Sequence, residues 1–255
     1  MTDWQQTWQD ILLMTRRNLL KYTRVPQLLV FSTIQPVMFV ILFAYVFGGA
    51  IRTPGVNYIN YLIPGIIVQS VIFGSVQTGI GLAEDLSKGM IDRFRSLPMA
   101  RSAVLAGRTL ADTVRNIFVV ILMILVGIII GFRFQTSLPE IILAGVITIL
   151  FGFAFSWISA TIGILVKEVE TVQVAGFIWI FPLVFASSVF VPVETMPDWL
   201  QTFAKINPIT ISVDAVRGLS LGGSLTPPIL GAFLWIFLLL LIFIPIAVRT
   251  YQRRV

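Results

Sequence analysis

Ala83-Glu84-Asp85-Leu86-Ser87-Lys88-Gly89-Met90-Ile91-Asp92-Arg93-Phe94-Arg95-Ser96-Leu97-Pro98 opens the one long charged interval of this chain, which continues through Arg101, Arg108 and Arg115. Apolar runs too long for a soluble core flank it on both sides. Leu86, Met90, Phe94 and Leu97 recur at i, i+4, i+8 and i+11, so the spacing predicts a helix with one narrow apolar stripe flanked by charge. Pro98 disfavours the α conformation at Leu97, and the helix is expected to stop there. Held between two membrane spans, such a segment can move both at once and reads as something another protein grips. A solvated connector is the bland alternative, and the pattern alone leaves it open.

Composition settles the class. Hydrophobic residues are 57% of the 255 and charged residues 12%, against about 25% charged in soluble domains. The mean hydropathy is +0.93. This is an all-α integral membrane protein. Cys and His are both absent, which removes disulfides, Cys- or His-based metal sites, Ser-His and Cys-His catalytic pairs and a histidine pH switch. The net charge of +6 does not mark a nucleic-acid binder, because the cations follow membrane topology rather than a groove-tracking patch.

The chain is expected to form a single transmembrane domain over 1–255. Residues 1–27 read as an amphipathic helix in the headgroup region. Trp4, Trp8, Ile11, Leu12, Thr15, Leu19 and Tyr22 share its apolar face, Arg16, Arg17, Lys21 and Arg24 supply charge, and Thr2 with Gln5 fits a capping box. Six spans follow: Leu28–Phe47, Tyr61–Leu82, Val114–Ile130, Ile141–Val166, Val172–Phe190 and Ile229–Val248, with 249–255 as a tail. Each has the ~20 residues that cover ~30 Å of hydrocarbon. With both termini in the cytoplasm, 14 Lys and Arg lie inside and only Arg52, Arg133, Lys205 and Arg217 outside, as the positive-inside rule asks.

No Asp, Glu, Lys or Arg is expected in the central portions of the spans, which argues against an intramembrane ion site as the energy input. Gly127 with Gly131, Ser156 with Ala160 and Ser159 with Gly163 are small-xxx-small pairs, read as helix-packing faces and weak evidence for a dimer. There is no GxxxxGK[ST] loop to cradle a nucleotide, and no nucleophile-and-base set. Glu168 and Glu170 share a short inside loop; they are too isolated for acid/base work and read as solvated or as a second partner contact. Intrinsic catalysis is not expected.

Between the fifth and sixth spans, 191–228 is an unusually long outside segment. Thr195 with Asp198, and Pro197, signal a helix start. That helix is predicted to run through Trp199, Leu200, Phe203 and Ala204 and stop before Asn207-Pro208. A second, through Val213, Val216 and Leu219, should end at Gly222-Gly223. Whether the pair dips into the membrane or forms a lid stays open at this level.

The run Phe190-Val191-Pro192-Val193-Glu194-Thr195-Met196-Pro197-Asp198-Trp199-Leu200, then Asn207-Pro208-Ile209-Thr210 and Val213-Asp214-Ala215-Val216-Arg217-Gly218-Leu219, resembles the type-2 ABC exporter permeases, in the branch of the daunorubicin-resistance permeases. Arg93 to Arg101 resembles the stretch that links the second and third spans in that family. The resemblance covers essentially the whole chain. It implies a permease subunit in the plasma membrane that pairs with an identical or homologous permease and docks a separate cytoplasmic ATP-binding protein, where ATP and Mg are held. It further implies a coupling helix over Glu84–Pro98. Arg93, Arg95 and Arg101 would then contact the ATPase, Phe94 and Leu97 would seat in its groove, and Glu84, Asp85 and Met90 would belong to the same element. The Trp4–Arg24 helix becomes a gate or interface helix. Pro192, Glu194, Pro197, Trp199, Asn207, Pro208, Asp214 and Arg217 become part of two outer re-entrant helices. Family members export drugs, glycolipids, polysaccharides or other lipid-linked molecules. The competing readings are a self-contained ion-coupled carrier, which requires a buried charge, and a membrane enzyme acting on lipids, which requires a catalytic constellation.

Overall fold

The computed structural model describes residues 3–25, 27–51, 53, 55–90, 101–166, 168–223 and 225–254. Among these residues nine α-helices follow one another and no strand occurs. They are α1 Asp3–Arg24, α2 Gln27–Ile41, α3 Tyr58–Ser87, α4 Arg101–Ile130, α5 Leu138–Leu165, α6 Val169–Phe185, α7 Asp198–Ile206, α8 Pro208–Leu221 and α9 Thr226–Arg254. Four of them, α3, α4, α5 and α9, are long and apolar enough to cross a membrane. Two more apolar helices are shorter: Ser32–Phe47, where α2 passes Pro36 and widens into a π-helical stretch over Leu42–Phe47, and α6.

The bundle is built around α3, which is buried over most of its length. At 30 residues it is about 45 Å long. It touches α5 most closely at a pair of glycines: a Cβ on Gly79 would stand 2.4 Å from Ser159 O, and one on Gly163 only 2.3 Å from Gly79 O. Ser75 and Ser159 hydroxyls meet there at 3.3 Å. The Ser159/Gly163 pair is thus spent within the chain. Of Gly127 and Gly131 only the first is a packing position, where a Cβ would stand 2.9 Å from Ile63 Cγ2 of α3. Gly131 has φ +115 and ends α4, with Phe132 N donating to Gly127 O at 2.8 Å and Gly131 N to Ile128 O at 3.2 Å, the bonding pattern of a Schellman stop. Glu140 caps α5 by accepting from Ser137 N at 2.8 Å and Ser137 Oγ at 2.7 Å. Exposed Leu, Ile and Phe on α4, α6 and α9, such as Ile129, Ile178 and Leu234, leave those faces to lipid.

The predicted pair of short helices is present as α7 and α8, with two differences. Thr195 does not cap α7: it closes the 3-10 turn Val193–Thr195 by donating to Pro192 O at 2.7 Å, and Pro197 holds the N-cap position. The two helices also part company. α7 leaves Trp199, Phe203 and Ile206 exposed along one face, whereas α8 buries Ile209, Val213, Val216 and Leu219 in the main core.

Asn207, Asp214 and Arg217 hold this end together. Asn207 is buried; its Oδ1 accepts Ile209 N at 2.9 Å, capping α8, while Nδ2 donates to Leu183 O at 2.8 Å and Ala186 O at 2.9 Å, beyond the last turn of α6. Arg217 donates to Asp214 Oδ1 at 2.7 Å, Ser188 O at 2.7 Å and Tyr61 O at 3.2 Å, its guanidinium 3.7 Å from the centre of the Tyr61 ring. Tyr61 and Tyr58 hydroxyls donate to Ser188 O and Phe190 O, each at 3.0 Å. Pro192 is buried and Pro208 half-buried, while Glu194 and Pro197 are exposed.

A single side chain that caps one helix and satisfies the end of another should be costly to lose. Asn207→Ala is expected to destabilise the purified chain by about 2 kcal/mol, the loss of a cap plus two orphaned carbonyls. Asn207→Asp, which keeps the cap but loses both donors, should fall between. Thermal unfolding of the two variants in detergent checks the order; an unchanged midpoint for Asn207→Ala would refute the assignment.

Candidate functional site

At the opposite end of α3, three helices converge on a buried carboxylate. Asp112 of α4 is fully buried, between two cations of its own helix: Arg108 Nε stands 3.3 Å from Oδ2 and Arg115 Nη1 3.7 Å from Oδ1. Thr78 Oγ1 of α3 donates to Oδ2 at 2.6 Å, and the Tyr22 hydroxyl of α1 donates to Oδ1. The guanidinium groups also reach the backbone of α3, Arg108 Nη2 donating to Gln77 O at 3.0 Å and Arg115 Nη2 to Gly74 O at 2.6 Å.

This contact is possible because α3 lacks side chains where the guanidinium groups lie. A Cβ on Gly81 would be 1.9 Å from Arg108 Nη2, and one on Gly74 would be 3.0 Å from Arg115 Nη2. Gly74 and Gly81, like Arg108 and Arg115, are two helical turns apart, so on antiparallel helices both gaps match both cations. Burying such a set costs several kcal/mol per ion, and only complete hydrogen bonding offsets it. Burial, with the Asp112 charge beside it, pushes the Tyr22 hydroxyl up to about 12, so it stays protonated and donates.

Nearer the surface, two further pairs join α1 to the last turns of α3: Lys21 Nζ to Glu84 Oε2 at 2.5 Å, and Arg17 Nη2 to Asp85 Oδ2 at 2.8 Å. Both cations remain a third or more exposed, so each pair adds only ~0–1 kcal/mol. Their value is geometric, since they fix α1 lengthwise on α3.

The buried cluster leaves the central portions of the spans uncharged, as expected, but buries charges that the sequence reading placed in a cytoplasmic segment. α4 starts at Arg101, well before the predicted Val114, and Arg108, Asp112 and Arg115 are part of a helix that runs unbroken into the third apolar run. Their i, i+4, i+7 spacing on one face was the available signal. The inward face of α1 is also different. Met14, Asn18 and Tyr22 are buried, while Trp4 and Trp8 are 85% and 59% exposed; of the predicted apolar face, Tyr22 alone is buried.

The predicted coupling element also changes at its start. Glu84, Asp85 and Leu86 are the end of α3, and Gly89 turns the chain at φ +63 before Met90. A single helical stripe from Leu86 to Leu97 is therefore interrupted. Arg93, Phe94, Arg95, Leu97 and Pro98 lie outside the described residues, and Arg101 is the first residue of α4. Arg16, Arg17 and Lys21 line a groove with Met90. Glu168 and Glu170 are exposed, with Glu168 Oε2 accepting from Thr171 Oγ1 at 3.0 Å. No group of His, Cys, Asp and Glu able to hold a metal ion occurs among the described residues.

Removing the central anion should be far worse than removing one donor to it. Asp112→Asn strands two buried cations and is expected to cost about 3–5 kcal/mol. Tyr22→Phe loses one hydrogen bond to a charged acceptor, about 1.5–3 kcal/mol. Unfolding midpoints of the two purified variants test this; equal losses, or a silent Asp112→Asn, would overturn the account.

Comparison with known proteins agrees with this architecture. The ABC-2 type transporter family profile matches residues 9–221. The daunorubicin resistance ABC transporter permease protein DrrB1 of Streptomyces coeruleorubidus is 35% identical over 206 residues, covering 81% of this chain and 73% of the relative. The probable doxorubicin resistance ABC transporter permease protein DrrC of Mycobacterium tuberculosis is 26% identical over 231 residues, 88% of this chain and 81% of the relative. A putative transport permease, ycf38, of Cyanophora paradoxa is 26% identical over 214 residues, 82% and 73% of the two chains. With its several apolar helices, this chain is a multi-pass membrane protein and belongs to the ABC-2 type transporter family.

Proposed function

We propose that this chain is the membrane subunit of an ATP-driven exporter that moves a hydrophobic or amphipathic molecule (a drug, lipid or glycolipid) out across the plasma membrane. A separate cytoplasmic ABC protein, carrying ATP and Mg, supplies the energy, and a second permease, identical or homologous, completes the pathway. The apolar stretch Ser32–Phe47 and helices α3, α4, α5, α6 and α9 are the six spans, with both termini cytoplasmic. α7 and α8 form the outer re-entrant pair.

The observation that carries this reading is where residues 91–100 are attached. They join α3 to α4, the two helices that share the Asp112 cluster and that α1 clasps through Lys21, Arg17 and Tyr22. A push on that charged segment is therefore delivered to three helices as one body. Two relatives carry drug resistance in their names, which supports an apolar or amphipathic cargo. The buried charges do not revive an ion-coupled carrier. Both Asp112 oxygens are engaged by two partners each, leaving no free base to bind and release a proton.

Phe94→Asp places a charge where the apolar stripe should enter the ATPase. The variant is expected to keep its fold, lose co-purification of the Walker-motif ATPase and lose substrate-stimulated ATP hydrolysis. Normal stimulation and export by this variant would sink the coupling role. Arg93→Glu with Arg95→Glu should weaken the complex more at low than at high ionic strength, because charge steering is screened by salt. A loss independent of salt would contradict docking onto an acidic surface.

A further inference from the structure

Two cavities meet at Lys21. The outer one, about 530 Å³, is an open groove between α1 and the end of α3, where Arg16, Arg17, Lys21, Arg24 and Lys88 face a single carboxylate, Asp85. The inner one, about 240 Å³, lies between α1, α3 and α4; Lys21, Arg108 and Arg115 face Glu84 there, and Gln77 and Ile80 form its far wall. Lys21 and Val25 line both. The outer groove is strongly cationic, and the inner cavity keeps a single cation in excess once Asp112, which pairs with both Arg108 and Arg115, is counted beside Glu84. Arg115, 2% exposed and on the inner wall, also keeps its Nε without a hydrogen-bond partner. That Nε is closed off by protein atoms, so the pull on a ligand comes from the excess of cations around a chamber roomy enough for water, which an oxyanion would neutralise.

We propose that these joined cavities bind the phosphate headgroup of an anionic membrane lipid. The outer cations collect the headgroup and the inner chamber receives it, with Lys21 exchanging Glu84 for the phosphate as it passes. A lipid, rather than a soluble anion, fits the rest of the lining. Leu13, Leu20 and Val25 of the groove are 62%, 42% and 39% exposed, an apolar track for acyl chains beside the cations. Trp4 and Trp8 continue the exposed apolar surface of α1, as an interfacial helix requires.

The test uses the purified full chain in a neutral detergent, equilibrated with equal phosphatidylglycerol and phosphatidylcholine of matched acyl chains, and counts retained lipid by native mass spectrometry. Phosphatidylglycerol should be retained at least about tenfold over phosphatidylcholine, and Arg16→Gln with Arg24→Gln, at about fivefold per charge removed, should abolish that preference. Gln77→Trp fills the inner chamber and leaves every charge in place; it should also abolish the preference, with Ile80→Trp as the alternative filler if the first variant elutes aggregated. Equal retention of the two lipids would overturn the proposal. So would a full preference in both chamber-filled variants, which would reduce the effect to attraction at the surface. Displacement of the lipid by glycerol phosphate or inorganic phosphate at matched concentration would replace a lipid site with a soluble-anion site.

Discussion

Asp112 and its two arginines are the constraint on which the α1 end of the molecule depends. In an apolar bundle nothing in the hydrophobic effect tells α1 where to stop along α3 and α4, because any rotation or slide still covers greasy surface. An ion cluster does. Four donors from three helices converge on two oxygens, and a shift of an ångström leaves a buried charge unpaired, at a cost near that of a typical domain's margin of stability. The cluster therefore contributes register rather than net attraction. Gly74 and Gly81 are its counterpart on α3, since side chains there would collide with the guanidinium groups.

The far end solves a different problem, that of satisfying neutral backbone carbonyls. α6 ends at Phe185, and its last turn and the residues that follow present backbone carbonyls at Leu183, Ala186, Ser188 and Phe190 inside the fold. Asn207, Arg217, Tyr61 and Tyr58 each donate to one or more of them. Buried non-helical backbone is tolerated only when its polar groups are satisfied. The charged residues here, Asp214 and Arg217, are fasteners of that turn. That role explains why they sit on the buried helix α8, while α7 carries the exposed Trp199, Phe203 and Ile206.

Much of this was legible in the residues. The apolar runs locate the helices, and the short pair begins and ends where Pro197, Asn207-Pro208 and Gly222-Gly223 require. What escaped is pairing between distant positions. Tyr22 and Asp112 are 90 residues apart, and Thr78 and Asp112 are 34 apart; periodicity reports which face is apolar, not which partner neutralises a charge. For the same reason Arg108 and Arg115 pass for loop cations when each is read alone. The inward face of α1, with Met14, Asn18 and Tyr22, escaped because Trp and Tyr are equally at home against lipid and against protein. Among these aromatics Tyr22 alone has an acceptor waiting for it. The stripe from Leu86 to Leu97 failed on one residue, Gly89, whose positive φ a spacing argument does not register.

These two ends are joined by α3, which is fastened at both. Thr78, Glu84 and Asp85 tie it to α1 and α4; Tyr58 and Tyr61 tie it to the turn after α6 and to α8. Between them the helix is buried on almost every side and meets α5 backbone to backbone at Gly79 and Gly163. A close-packed helix has little compliance along its length. Displacement at the charged end is thus not absorbed within α3; it must appear at the α8 clamp or as sliding against α5. The α5 contact is keyed as well: Val71 seats on Gly152, the Ser75 and Ser159 hydroxyls meet at 3.3 Å, and Phe151 and Phe155 pack in the same core. α3, the turn after α6, α8 and the facing side of α5 are therefore fastened as one unit.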